Sequence, residues 1–181
     1  MNNPLLKVSL KWALIYTGVS CITLFGTYLF GMSSNQIIGL LLGILSLTIT
    51  IILLVLSNRE YRTLYLDGYI KYYQCLLNNI LIFLIGSLIV SLISYILYGL
   101  VDINAFNESI EKQLLMISSN PDIPAEWKQK QIDAIIDLTP LKQSIIQFIW
   151  SVGFGVFVSL IVSIFTRKKN NSFEGAIKEI E

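Results

Sequence analysis

The feature that most constrains this chain is a run of 47 residues, from Trp12 to Asn58, that contains no Asp, Glu, Lys or Arg. A helix needs about 20 apolar residues to cross the roughly 30 Å of hydrocarbon in a bilayer, so the run is too long for one crossing and fits two. Its one cluster of turn residues, "GMSSNQ" at 31–36, divides it. The run therefore predicts two transmembrane helices, at about 12–31 and 36–57.

Two further charge-free runs predict two more transmembrane helices. They cover 72–101 and 143–166, and predict spans at about 76–99 and 143–166. Thr139 and Pro140 fit the N-cap and the first turn of the last helix. The expected fold is an all-α integral membrane protein, with residues 1–181 forming a single domain of four transmembrane helices.

The distribution of Lys and Arg among the loops predicts how these helices are oriented. Nine basic residues lie in the N-terminal segment, in the 58–75 segment and in the 167–181 tail. Four lie in or beside the 102–139 loop, which also carries seven acidic residues. Both termini are therefore expected to be cytoplasmic, and the 102–139 loop extracytoplasmic. The residues predicted to anchor the last span among the lipid headgroups are Arg167, Lys168 and Lys169.

The 102–139 loop carries apolar residues at three- and four-residue steps on both sides of "SSNPDIP" at 118–124. That spacing predicts two short amphipathic helices, which would form a helical hairpin. The hairpin is interpreted as packing on itself and on the membrane surface. A docking site for an outer partner is the alternative.

The 58–75 segment contains five tyrosines, a residue type that favours the membrane–water boundary. Asp67 and Gly68 lie between "TLYL" and "YIKY", which is typical of a β-hairpin. An interfacial helix broken at Gly68 is the alternative. The segment is either a tyrosine belt on the cytoplasmic surface or a docking surface for a cytosolic partner. The residues predicted to contact such a partner are Tyr65, Gly68, Tyr69, Lys71 and Tyr72.

Small residues recur at helical spacing inside the spans, most regularly in "SVGFGVFVSLIVS" at 151–163. The stripe could line a polar path or form a face for helix packing. Residues four apart drift by about 40° around a helix, which favours packing over a straight lining. Gly155 and Ser159 are the expected point of closest approach. The residues predicted to pack helices together are Gly39, Gly43, Ser87, Ser91, Ser151, Gly155, Ser159 and Ser163.

Several classes of function are disfavoured by what the chain lacks. It has no His, and none of the predicted spans contains an ionisable Asp, Glu, Lys or Arg. Proton-coupled transport normally needs such a group at membrane depth. The two cysteines, Cys21 and Cys75, have no zinc-type spacing, and a net charge of +1 does not indicate nucleic acid. No catalytic, cofactor-binding or metal-binding residue is predicted, and the chain is not expected to be an enzyme.

The order of these features resembles a known family. The chain has a basic start with "NPLLK", a hydrophobic helix pair, "GYIKYYQCL" before the third span, an acidic outer hairpin and a final span closing in "RKK". It is similar over essentially its whole length to the four-span membrane family of Bacteroidota known as domain of unknown function 4199, most specifically at Gly68–Tyr72. The resemblance implies a Gram-negative inner membrane and no assigned activity. It also associates the chain with neighbours in envelope glycan metabolism, including membrane-associated glycosyltransferases.

The expected function is therefore a non-enzymatic accessory or scaffold subunit of an inner-membrane envelope complex. The expected partners are membrane lipids and a second membrane or membrane-associated protein. A glycosyltransferase is the hypothesis for that protein. A homo-oligomer is compatible with the same surfaces. The alternative is a passive channel or a lipid-handling protein, which would need a continuous polar groove. An intramembrane enzyme is a third hypothesis, and it lacks an acid, base or thiol–His pair at depth.

Overall fold

The computed structural model describes residues 3–30, 36–121 and 124–168, apart from the side chains at 27, 29, 30 and 36–40. Regular secondary structure in this part of the chain is entirely helical. A π-helical turn, Leu97–Val101, extends the third helix. The helices are α1 (Pro4–Phe30), α2 (Gln36–Tyr65), α3 (Tyr72–Ile96), α4 (Ile103–Ser119), α5 (Ala125–Ile136) and α6 (Pro140–Thr166).

Four of these helices are long and apolar enough to cross a membrane, as predicted: α1, α2, α3 and α6. Helix α6 begins as expected, with Pro140 in its first turn and the Thr139 hydroxyl accepting a hydrogen bond from the Lys142 amide at 3.3 Å. The helices extend past the charge-free runs because polar residues near a helix end can reach the interface. Lys7 and Lys11 in α1 and Glu60 in α2 occupy such positions.

The segment between α2 and α3 does not form the β-hairpin. Helix α2 continues to Tyr65, and Asp67 and Gly68 then adopt φ values of 49° and 84°. The Gly68 amide donates to the Arg62 carbonyl at 3.1 Å, a bond that caps the C-terminus of a helix. The Asp-Gly pair therefore ends a helix, because the residues before it continue α2. This outcome is closer to the alternative of a helix broken at Gly68.

The 102–139 segment holds the two predicted short helices, α4 and α5, which contact each other. Asp102 caps α4 by accepting a hydrogen bond from the Ala105 amide at 3.0 Å. Asp102 also accepts a 2.7 Å hydrogen bond from the Tyr28 hydroxyl, which ties the end of α1 to the start of α4. The end of the bundle that carries α4 and α5 is called the hairpin end below.

The interior has an unusual composition for a folded chain. Among the described residues 13 polar and 13 apolar residues are buried, while many large apolar side chains point outward. Ile22, Trp150 and Phe165 are 75%, 75% and 82% exposed. Water would penalise so much exposed apolar surface, whereas lipid would not. The distribution fits a multi-pass membrane protein.

One apolar layer crosses the middle of the bundle. Its centre is the Phe83 ring of α3, which meets the Tyr16 ring of α1 edge-on with a centroid separation of 5.2 Å. The ring also fills the space above Gly155 of α6, where an added Cβ would lie 2.3 Å from Phe83 Cγ. The buried residues of this apolar layer are Ala13, Leu54, Ile82, Phe83, Val158 and Val162, and packed against them are Trp12, Tyr16, Leu47 and Ile85.

Candidate functional site at the basic end

The opposite end of the bundle, called the basic end, is held by hydrogen bonds that join all four long helices. The Asn78 amide of α3 donates to Ser57 Oγ at 2.8 Å and to Asn58 Oδ1 at 3.0 Å, both on α2. Asn78 Oδ1 accepts from Ser9 Oγ of α1 at 2.9 Å. Asn58 Nδ2 donates to Thr166 Oγ1 of α6 at 3.1 Å. Because Ser9, Ser57, Asn58 and Asn78 are at most 1% exposed, this polar network fixes the helix ends relative to one another.

A second amide extends the polar network toward the apolar layer. Asn79 Nδ2 donates to Ser163 Oγ of α6 at 3.3 Å. Asn79 Oδ1 and the Ser159 hydroxyl are buried without a hydrogen-bond partner among the described residues. Neither asparagine was singled out from the sequence. Two adjacent amides in an apolar helix were the one feature that could have identified the network.

An ion pair borders the network at the surface. Lys11 Nζ lies 2.8 Å from Glu60 Oε1, and the Trp12 indole N–H donates to Glu60 Oε2 at 2.9 Å. These contacts join α1 to α2. Glu60 was not singled out from the sequence, because a single acid among basic residues has no distinguishing pattern.

A surface groove of about 620 Å³ opens beside the network and contains much of the predicted partner surface. Its geometry depends on an antiparallel backbone pair, in which the Ile70 and Lys168 amides each donate to the other residue's carbonyl at 3.0 Å. The pair brings the chain leaving α6 against the chain entering α3. The residues lining this groove are Tyr65, Leu66, Asp67, Tyr69, Ile70, Lys71, Gln74 and Lys168.

The predicted partner residues occupy different positions relative to the groove. Tyr65, Tyr69 and Lys71 line it. Gly68 forms the turn at one edge, and Tyr72 begins α3 outside the lining as a half-buried residue. Lys168, which the sequence reading assigned to membrane anchoring, joins the groove with its ammonium 6.0 Å from the Tyr69 ring centroid.

The groove carries more positive than negative charge. Lys71 and Lys168 supply two cations, and Asp67 supplies one carboxylate. Tyr65 and Tyr69 add amphipathic rings, which are common at protein interfaces. Lysine and tyrosine donors can pair with the carboxylates of an acidic segment.

The stripe of small residues at 151–163 of α6 contacts neighbouring helices along its whole length. Ser151 Oγ lies 3.4 Å from the Tyr16 hydroxyl, and Gly155 lies beneath Phe83. Ser159 is fully buried, and Ser163 bonds Asn79. The closest approach at Gly155 is therefore made by an aromatic ring on α3.

The remaining predicted packing residues divide into two groups. Ser87 and Ser91 of α3 are buried, and their hydroxyls donate to the Phe83 and Leu88 carbonyls of their own helix. Gly43 is exposed, and no described atom lies within 4 Å of where its Cβ would be. Arg167 is also exposed. The surroundings of Gly39 and the whole of Lys169 lie outside what the structure describes.

The described residues do not bring metal-ligating side chains together: no group of three or more His, Cys, Asp or Glu is placed to hold an ion within 3–30, 36–121 and 124–168. Cys75 is buried and Cys21 is half-buried, on separate helices. The chemistry offered at the basic end is that of binding through hydrogen bonds, charge and aromatic contact.

Comparison with known proteins identifies a family for the chain. A family model described as "Protein of unknown function (DUF4199)" matches residues 11–168, which include all four long helices and the groove. No curated protein and no solved structure matches the chain.

Proposed function

Because the chain belongs to the DUF4199 family of proteins of unknown function, we propose its function from its own geometry. It is a non-enzymatic accessory or scaffold subunit of a complex in a bacterial inner membrane. Its four long helices anchor it, and the groove between Tyr65 and Lys168 binds an acidic segment of a membrane-associated partner.

The observation that carries this proposal is the position of the groove on the polar network. A docking surface is most effective when its shape is formed before binding, since less conformational freedom is then lost. Here the two chain segments that form the groove are joined by backbone hydrogen bonds at Ile70 and Lys168. Asn58, Asn78 and Thr166 join the helices on either side of them.

The proposed orientation in the membrane rests on the distribution of Lys and Arg. The basic end carries more Lys and Arg than the hairpin end, so we propose that it faces the cytoplasm and that α4 and α5 lie outside. A cysteine introduced at Ser119 in a background without Cys21 and Cys75 is expected to react with an impermeant maleimide on intact spheroplasts. A cysteine at Tyr73 is expected to react only after lysis. The reverse pattern would contradict the orientation.

The candidate partner is a membrane-associated glycosyltransferase, the enzyme class with which the family resemblance is associated. A photo-crosslinking amino acid at Tyr69, at the groove, is expected to capture it in native membranes. The same amino acid at Trp150, which is 75% exposed on the flank of α6, is the matched control. Lys71→Glu in the Tyr69 probe strain is expected to reduce capture about tenfold, because it reverses a charge in the groove. Recovery of the chain only as a homo-oligomer, unaffected by Lys71→Glu, would overturn the proposal.

A further inference from the structure

A second polar region lies on the other side of the apolar layer, within the membrane-spanning part of the bundle. It is a cavity of about 270 Å³, which corresponds to the volume of roughly nine water molecules. All four long helices contribute to its wall. Its hydrogen-bonding side chains, apart from Tyr16, are Ser20, Thr23, Ser46, Ser87, Gln147 and Ser151.

The cavity lies well below the surface at the hairpin end. Ser46 is ten residues from the first residue of α2, and Gln147 is seven residues from the first residue of α6. At 1.5 Å per residue these positions are about 15 Å and about 10 Å along their helices. The cavity is therefore between the interface and the middle of the bilayer.

Several of its polar groups are unsatisfied by the protein. In the described part of the chain, the side chains of Ser20, Ser46 and Gln147 make no hydrogen bond, and each is only partly buried. An unpaired polar group facing hydrocarbon costs several kcal/mol. The hydroxyls and the Gln147 amide together offer both donors and acceptors. The wall therefore favours an occupant that can donate and accept hydrogen bonds.

The occupant should be uncharged. None of the lining residues named above carries a formal charge, so a phosphate at this depth would lack a counter-charge and would be costly to bury. An aqueous path through the bundle is also disfavoured, because the apolar layer around Phe83 separates the cavity from the polar network.

The cavity is open to its surroundings, and α2 leaves room for lateral entry. Residues 41–45 in the first half of α2 are exposed, whereas Leu54, Ser57 and Asn58 in its second half are buried. Helix α2 thus packs tightly at the basic end and loosely beside Ser46. A lipid could insert its headgroup there while its acyl chains stay in the bilayer.

We propose that this cavity binds the uncharged, hydroxyl-bearing headgroup of a membrane lipid, of the diacylglycerol or glycosyl-diacylglycerol class. Hydroxyls of such a headgroup match the unpaired groups of Ser20, Ser46 and Gln147. The site is separate from the groove at the basic end, so it does not depend on the proposed scaffold role.

The test uses the full chain in phosphatidylethanolamine vesicles with a photoactivatable diacylglycerol. A phosphatidic acid with identical photoactivatable chains is the charged comparison. We expect saturable labelling of residues near the cavity by the diacylglycerol, competed by unlabelled diacylglycerol. Labelling by the phosphatidic acid should be about tenfold weaker, because its charge is not compensated.

Matched variants distinguish the cavity from the general lipid surface. Ser46→Leu fills the cavity and should weaken saturable labelling about tenfold. Thr48→Leu, two residues along the same helix at an exposed position, should leave it unchanged. Gln147→Leu repeats the test from α6 if Ser46→Leu does not fold. Equal labelling by both lipids, or labelling that neither cavity variant alters, would mean that the cavity holds water only and would overturn the proposal.

Discussion

The two polar regions of this bundle lie on opposite sides of one apolar layer and differ in how their hydrogen bonds are satisfied. In the network at the basic end, Asn58 and Asn78 are at most 1% exposed and bonded to side chains of other helices. In the cavity, the side chains of Ser46 and Gln147 are partly exposed and make no hydrogen bond within the described residues. The paired side chains of the network hold the helices in place. The unpaired side chains of the cavity remain able to bind another molecule. Similar polar residues in a membrane bundle therefore serve stability or recognition according to whether the protein itself pairs them.

The apolar layer maintains this difference, because it prevents the two regions from merging. The Phe83 ring packs between Gly155 on α6 and Tyr16 on α1, and Gly86 leaves the space that the Tyr16 ring occupies. An added Cβ at Gly86 would lie 2.4 Å from Tyr16 Cδ1. Both glycines are therefore required by neighbouring rings.

The largest effect is expected from breaking the layer with Gly155→Leu. The new side chain would occupy the position of the Phe83 ring, and forcing extra carbons into a packed core costs typically 1–3 kcal/mol. We expect the free energy of unfolding in mild detergent to fall by about 3 kcal/mol. Titration with a denaturing detergent measures this free energy.

Gly153→Leu, which has open space around it, is the control and should be near neutral. Equal stabilities for the two variants would contradict this account of the layer.

The next largest effect is expected from Asn78→Leu in the network. The substitution removes bonds to three residues and leaves Ser9, Ser57 and Asn58 without that partner. Individual interhelical hydrogen bonds in membranes average about 0.6 kcal/mol, so the free energy of unfolding should fall by about 2 kcal/mol. Thr48→Val is the control, because the Thr48 hydroxyl bonds only to the Ile44 carbonyl of its own helix. If both variants lose the same stability, the network is not what holds the basic end.

The sequence predicted the four long helices but not the polar network or the cavity, and the physical reasons differ. Charge-free runs follow directly from the cost of charge in hydrocarbon, so they predicted four long helices and, with Thr139 and Pro140, the start of α6. The turn at Asp67 and Gly68 was ambiguous because the same dipeptide suits a hairpin and a helix end. Only the surrounding helix decides between them.

The pairing of polar residues is a property of three-dimensional contact and has no sequence period. Ser9, Asn78 and Thr166 lie far apart in the chain and meet through the polar network. Ser46 and Gln147 look like scattered residues in sequence, and a shared cavity becomes visible only when four helices are assembled. The stripe at 151–163 predicts a packing face of α6, but it carries no sign of the Phe83 ring that covers Gly155.

A smaller effect is expected from Glu60→Gln, which tests whether surface charge contributes to the basic end. The substitution weakens the contact with Lys11 and keeps an acceptor for the Trp12 indole. Lys11 is 57% exposed, so solvent screens the pair and its loss should cost about 0.5 kcal/mol. Raising the salt concentration should reduce the difference in stability between wild type and variant.

Glu108→Gln, which removes the exposed 3.7 Å pair with Lys112, is the control and should be neutral. A salt-independent difference for Glu60→Gln would indicate packing rather than charge.

The smallest effect is expected at the hairpin end, where the link between helices titrates. Hydrogen bonds from the Tyr28 hydroxyl and then from the Ala105 amide lower the pKa of Asp102 below its ordinary value of 3.8. Because the folded-state pKa is lowered, ionised Asp102 favours the folded form. This contribution is complete above the ordinary pKa and is lost as the pH falls through the folded value. Tyr28→Phe should move the pKa of Asp102 upward, toward its ordinary value, so stability near pH 7 falls slightly and less stability is lost on acidification. Unfolding midpoints measured from pH 3 to pH 7, with Asp102→Asn as a variant that cannot titrate, give the comparison. If Asp102→Asn keeps the same pH dependence as wild type, the ionisation of Asp102 does not cause the acid destabilisation. The pH-sensitive contact between α1 and α4 then lies elsewhere.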